Sequence, residues 1–430
     1  MRISRKFVSD AFFFFVLLLS SGAMEAFTTT ANGADPQGSP LMKVAWACIY
    51  LVILLALFHH RREVGSLLRS NKTFVVFLVL SFVSIRWSVD SQATLQKSVA
   101  LILSAMVGLE FARRYTIEQQ LRLVWGVLAL IMVLGVVAQV VFPGFVPDMD
   151  LDAGDGGWNG IVTTKNSWAR LIVLAGLVVL TRPRRSRLTK ITLPILMVIV
   201  LALLVASRSA GGLLIMVTML ALFVGFRALR WNRTRLVMLS AVLAVVTAGT
   251  VSYVVTHADQ AARMLGKDAT MTGRVPIWQE SLQFVARSPV LGYGYAAFWS
   301  QNSRPGRLVR EAIHWDTLPH AHNGYIDLAL ELGGVGLLLY FASYFIAMKR
   351  AALLVRRSSA IELRWPLAFL CVVFLYQLNE ASIVSANQLI WILYSSVLFS
   401  VAIEAQNSAL PLPEEADQLS AEAVVTAAGD

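Results

Sequence analysis

Long uninterrupted apolar runs alternate along the chain with short segments rich in arginine, lysine and turn residues. An apolar run of about 20 residues is the length a helix needs to cross the hydrocarbon core of a bilayer. The runs are continuous and do not alternate with period two. They therefore predict membrane helices, not the strands of a membrane barrel. The pattern predicts twelve spans, near residues 8–27, 42–59, 73–87, 98–112, 121–143, 167–181, 190–207, 210–227, 236–256, 323–348, 365–379 and 386–404. The first run follows Arg2, Arg5 and Lys6 and also has the shape of a cleaved signal peptide, with Ser21-Gly-Ala as a cleavage site. Retaining it as a span gives a topology that agrees with the charges.

Those charges alternate from one side to the other. Loops on the N-terminal side hold Arg61, Arg62, Arg69 and Lys72, then Arg113, Arg114 and Arg122, then Arg182, Arg184, Arg185, Arg187 and Lys190. Arg227, Arg230, Arg233 and Arg235 follow, then Lys349, Arg350, Arg356, Arg357 and Arg364. The short loops opposite hold only Lys43, Arg86, Lys97, Lys165 and Arg208. Basic residues stay cytoplasmic, so both termini are expected in the cytoplasm. The chain divides into helices 1–9 over 1–256, a long outward loop over 257–322, helices 10–12 over 323–404 and a polar cytoplasmic tail, expected to be disordered, over 405–430. Within the long loop, Arg274–Arg287 reads as a short amphipathic helix ended by Ser288-Pro289.

Composition agrees. Of 430 residues, 57% are hydrophobic and 15% charged, whereas soluble domains carry about 25% charged residues. The net charge of +11 is accounted for by the loops flanking the spans, so no nucleic-acid partner is implied. Cys48 and Cys371 both lie inside apolar runs and read as small buried residues, not as a disulfide.

The candidate chemistry lies at the outward face. It centres on His320-Ala-His322-Asn323-Gly-Tyr-Ile-Asp-Leu-Ala-Leu-Glu-Leu-Gly333-Gly-Val-Gly336, where a polar loop enters a span. An imidazole at a membrane boundary is a functional candidate, and glycines inside a span let another backbone approach. Arg274, Arg208 in a tight turn, and Lys165 with Asn166 share the same face. Converging cations need anions, and a phosphorylated ligand would satisfy them. Each residue also has a plainer reading. Arg208 can snorkel at a helix end, Arg274 can cap or pair within its loop, Lys165 can be a surface charge, and His322 can be structural. His320 has the weakest case, because helical neighbours two apart face different ways. The acidic run Asp148–Asp155 lacks the order of a calcium-binding loop, and no metal or cofactor is expected.

His322-Asn-x9-Gly333-x2-Gly336 resembles the histidine motif of the O-antigen ligase and Wzy-type polysaccharide polymerase superfamily. Thr272-Gly-Arg274-x3-Trp278 and Ser288-Pro-Val-Leu-Gly-Tyr-Gly-Tyr-Ala-Ala-Phe-Trp299 resemble its periplasmic loop, most of all that of exopolysaccharide polymerases of the ExoQ kind. Gly157-Trp-Asn-Gly-x4-Lys165-Asn166 and Ser207-Arg208 are similar to further segments of that group, which commonly has histidine where this chain has Thr164. The resemblance implies an all-α, GT-C-like membrane glycosyltransferase acting on an undecaprenyl-diphosphate-linked oligosaccharide at the periplasmic face. It implies membrane lipid as surroundings, and a flippase and a chain-length regulator as partners. On this reading His322 is the general base and Arg208 and Arg274 hold the diphosphate without a metal ion. Lys165 is a third phosphate contact, Asn323 orients His322 or the acceptor, and His320 adds to the substrate site. Trp278, Tyr293 and Trp299 either stack on sugar rings or hold the loop together. Two other readings stay open: a ligase that moves finished glycan to lipid A core or protein, and a transporter of lipid-linked glycans. Transport would call for charges at mid-membrane depth, where Glu331, Glu380 and Arg170 are the candidates.

Overall fold

A computed structural model describes residues 5–23, 40–142, 157–226, 274–378, 380 and 384–407. The described residues are helical and irregular, with no strand. The helices are α1 (Arg5–Ser20), α2 (Pro40–His59), α3 (Arg61–Ser70), α4 (Lys72–Val83), α5 (Ser91–Arg114), α6 (Ile117–Val141) and α7 (Lys165–Thr181). They continue as α8 (Arg187–Ala206), α9 (Ala210–Gly225), α10 (Arg274–Arg287), α11 (Arg304–Ala312), α12 (Gly324–Arg357), α13 (Trp365–Gln377) and α14 (Leu389–Asn407).

Six of them, α2, α5, α6, α8, α12 and α14, are long and apolar enough to cross a membrane, and the bent pair from α3 into α4 would make a seventh. The chain is thus a multi-pass membrane protein. Of the twelve expected spans, the one near 236–256 lies outside the described residues, as do the acidic run Asp148–Asp155 and most of the tail. Helices stand at the other eleven, although α1, α7, α9 and α13 are 16, 17, 16 and 13 residues long. α3 was not expected. It is a short basic amphipathic helix that turns by 93° into the next segment. α10 has the bounds read from the sequence.

Packing fixes the centre of the bundle. In α14, 78% of the apolar window is buried. α5 lies against it through Gly108, where an added Cβ would overlap the Ile392 carbonyl and Ser395. Small residues on both faces let the two backbones approach, as between membrane helices generally. Cys48 and Cys371 are both free, but Cys48 is exposed on α2 and Cys371 half-buried, so neither is the buried residue expected. An apolar thiol in a span can face lipid as readily as core.

α12 is broken at Gly333, whose backbone (φ 62, ψ −161) is not helical. Such a break strands amide and carbonyl groups where no water can reach them. The loop after α10 supplies their partners. Tyr293 and Gly294 N–H donate to the carbonyls of Leu330 (2.8 Å) and Glu331 (2.9 Å), while Gly334 and Val335 N–H donate to those of Pro289 (2.8 Å) and Val290 (3.2 Å). An added Cβ on Gly292 or Gly333 would overlap the opposing backbone. The described part of the outward loop is thereby bolted to α12. Two small apolar clusters hold it, one around Phe284, Phe298 and Val309 with Leu330 of α12 and one around Ile277, Leu318 and Ala321.

Candidate active site

Four separate stretches meet at one end of the bundle: the starts of α7, α10 and α12 and the segment after α13. The starts of α7 and α12, and that of the neighbouring α9, each have a local cause. Asn323 caps α12, its Oδ1 accepting from the N–H groups of Tyr325 (3.0 Å) and Ile326 (3.2 Å). Thr164 caps α7 by accepting from Ser167 N–H (3.1 Å). Ser209 caps α9 by accepting from Gly212 N–H (3.3 Å). These short oxygens satisfy amides that the first turn leaves unpaired.

Glu380 links the stretches. Its Oε1 accepts from Arg274 Nη2 at 3.2 Å and more distantly from Asn166 Nδ2 at 3.5 Å. Its Oε2 lies 3.4 Å from His322 Nδ1. Asn166 Oδ1 in turn accepts from the Ser209 hydroxyl at 2.9 Å, which ties in the turn that carries Arg208. Arg274, His322 and Glu380 are only 16%, 21% and 15% exposed. Burial opposes ionisation of Glu380, but His322, His320 and Arg274 together outweigh it and hold the carboxyl down at about 2. His320 is pushed down to about 4, first by burial and then by the positive charge of its neighbours, so its ring is neutral near pH 7.

Both ring nitrogens of His322 are buried and make no hydrogen bond. Nδ1 is within ion-pair range of Glu380 without hydrogen-bond geometry. The ring is flanked by His320 (centroids 4.3 Å apart) and Trp315 (5.9 Å, planes 26° apart). His320, the weakest candidate by sequence, therefore lies against the strongest. The helical-face argument fails because this segment is a loop, with His322 in the left-handed region (φ 51).

The remaining candidates divide. Lys165 is buried at the start of α7, beside Asn166. Arg208 is exposed in its turn, with a left-handed backbone (φ 50). Asn323 spends its oxygen on the cap. Trp278 Nε1 donates to the Ala321 carbonyl (2.9 Å), Trp299 Nε1 to Asp327 (2.7 Å) and Tyr293 hydroxyl to the Phe284 carbonyl (3.0 Å), so the polar atoms of all three aromatics hold the loop. His320, His322 and Glu380 each present one metal-ligand atom within 4.8 Å of the others. Arg274 already shares that carboxylate, and its fixed positive charge opposes a divalent ion there. Two contributors escaped the sequence reading. By sequence Glu380 is a candidate only for its depth, and Asp327 is not a candidate. A lone carboxylate just beyond the apolar run of α13 was the available signal for the first. Arg170, one turn into α7, has a buried Nε with no hydrogen-bond partner.

Residues 195–341 match the O-antigen ligase family. The matched segment contains Arg208, Arg274, Trp278, His320, His322, Asn323 and Gly333, so the likeness read from the motifs is borne out. Lys165, Asn166 and Glu380 lie outside it and are joined to the O-antigen ligase-like segment by the fold. The chain is also 30% identical over 141 residues to the exopolysaccharide production protein ExoQ of Rhizobium meliloti, covering 32% of each protein. It is 27% identical over 94 residues to a Rickettsia felis protein named "Putative polysaccharide ligase", covering 21% of this chain and 23% of that one. The matches thus span about a third or less of these relatives' lengths.

Proposed function

We propose that the protein is a membrane glycosyltransferase that polymerises exopolysaccharide repeat units at the periplasmic face of the bacterial inner membrane. The donor is an undecaprenyl-diphosphate-linked oligosaccharide, and the growing glycan is the acceptor. The reading takes the chain as a GT-C-like bundle of twelve spans with both termini cytoplasmic, working with a flippase and a chain-length regulator.

The observation that carries it is His322. Its buried ring nitrogens have no hydrogen-bond partner, and one of them faces an ionised carboxylate. A sugar hydroxyl is a poor nucleophile near pH 7, and a positioned base lowers its barrier. With the Nδ1 proton turned toward Glu380, Nε2 of the neutral ring accepts the hydroxyl proton. Glu380 stabilises the imidazolium that forms, the role a carboxylate has beside a catalytic histidine elsewhere. The hydroxyl oxygen bonds to the anomeric carbon, the bond from that carbon to the diphosphate breaks, and the electron pair leaves with the diphosphate. Direct displacement inverts the anomeric centre.

Arg274 and Arg208 offset the charge that grows on the leaving diphosphate, with Lys165 as a third phosphate contact. A guanidinium has a planar fork of five N–H donors, so Arg274 can hold a carboxylate and a phosphate together. No metal ion enters this scheme.

A second reading has support from the family description and from the name of the Rickettsia relative: a ligase that transfers finished glycan to lipid A core or to a protein. One experiment separates them. Purified protein is given a synthetic lipid-diphosphate oligosaccharide as both donor and acceptor. A ladder of whole-repeat additions, lost in His322→Ala, is the expected result. Transfer that appears only when lipid A core or an acceptor protein is added would make it a ligase. Transfer to neither would sink both readings.

A further inference from the structure

We infer that Trp278 and Asp327 are positioning residues for His322, acting through the backbone of Ala321. This rests on His322 being the base of the proposed reaction. His322 has a left-handed backbone (φ 51), a conformation that is strained for a non-glycine residue and persists only where its surroundings over-determine it.

Here the surroundings do so group by group. Ala321 is fully buried. Its N–H donates to the Asp327 carboxylate, at 3.0 Å to Oδ1 and 3.3 Å to Oδ2. Its carbonyl accepts from Trp278 Nε1 at 2.9 Å. The next N–H, that of His322, donates to His320 Nδ1 at 3.1 Å. Three consecutive polar backbone groups before the His322 side chain are thus each held by a different side chain. These side chains come from the first turns of α12 and α10 and from the loop itself. On the far side, Asn323 fixes the chain by capping α12. Asp327 is itself pinned by Trp299 Nε1 at 2.7 Å. With the backbone clamped on both sides, only the side-chain torsions of His322 remain, and Trp315 and His320 bound those.

The clamp also gives Trp278 a role different from sugar stacking. Stacking needs the ring, whereas the clamp needs the indole N–H. Trp278→Phe keeps a ring and removes the N–H. Displacement of a reacting group by about 1 Å costs on the order of 100-fold in rate. A loosened clamp is therefore expected to lower kcat by roughly 10-fold while KM for the lipid donor stays within about 2-fold. Asp327→Ala removes the other hold and is expected to act in the same direction. Asp327→Asn keeps an Oδ1 able to accept from both Ala321 and Trp299, and is expected to restore most of the lost kcat.

The test is steady-state kinetics of these three variants with the synthetic lipid-diphosphate donor, beside His322→Ala and with thermal unfolding in detergent as a folding control. A fall in kcat at unchanged KM in Trp278→Phe, with Asn but not Ala tolerated at 327, supports the inference. Wild-type kcat in Trp278→Phe, or a loss that resides in KM, overturns it and returns the ring to a sugar platform. Should Asp327→Ala not fold, Trp278→Phe alone decides. If His322→Ala turns over normally, it is the base assignment that fails. If His322→Ala is dead while Trp278→Phe and Asp327→Ala are fully active, only the clamp fails.

Discussion

Arg274 donates to Glu380 Oε1 at 3.2 Å across 106 residues of sequence. The same carboxylate turns its other oxygen toward His322. One acidic group therefore joins the guanidinium to the imidazole, the two groups to which the proposed reaction gives phosphate binding and proton transfer.

Glu380→Gln keeps the shape and removes the charge. Polymer formation is expected to fall by about 100-fold, the scale of a general-base contribution. Initial rates on the lipid-linked donor measure it. Unchanged rates would separate Glu380 from the chemistry.

Arg274→Lys keeps the charge but loses the planar fork. Loss of one positioned donor to a developing anion costs on the order of 100-fold, and at least about 10-fold is expected here. Because Arg274 and Glu380 touch, the double variant Arg274→Lys/Glu380→Gln should lose less than the product of the single losses. Strict multiplicativity would show that the pair is not coupled.

Acid should destabilise the fold through His320 and Glu380. His320 titrates at about 4 in the folded protein against about 6.5 unfolded, so the unfolded chain binds more protons between these values and stability falls as pH drops through them. Glu380, at about 2, continues the loss below about 4.3, its unfolded value. Thermal unfolding in detergent from pH 7 to pH 4 reads this out. A flat profile in the wild type, or an equally steep one in His320→Gln, would contradict it.

Gly333→Ala puts a side chain on a backbone (φ 62, ψ −161) that only glycine adopts freely, and against the Val290 carbonyl. A destabilisation of about 1–3 kcal/mol is expected from the conformation alone, with further loss from the overlap. Detergent unfolding should show a lower Tm, and protease should cut more readily within residues 288–296 if the loop undocks from α12. A variant as stable as wild type would show that α12 can reclose as a continuous helix.

The sequence was informative wherever a signal was local. The amphipathic pattern of Arg274–Arg287 and the Ser288-Pro289 stop gave α10 its bounds. Arg61–Ser70 carries as clear a pattern, but its charges also suited a cytoplasmic loop, and only the structure made it a helix. The sequence case against His320 assumes helical spacing, which the left-handed backbone at His322 removes. Glu380 had no local sign of its partners, because Arg274 and His322 reach it from other parts of the chain.

The sequence by itself determined that this is a helical membrane protein, and it determined the residue types offered at its polar end. Hydrophobic run length and motif spacing are properties of neighbouring residues, and the bilayer acts on them segment by segment. Only the tertiary structure decided that Glu380 joins Arg274 to His322, that the loop heals the break at Gly333, and that Ala321 is clamped between Trp278 and Asp327. Each of these depends on backbone groups and charges that find partners only after distant segments have packed and excluded water from them.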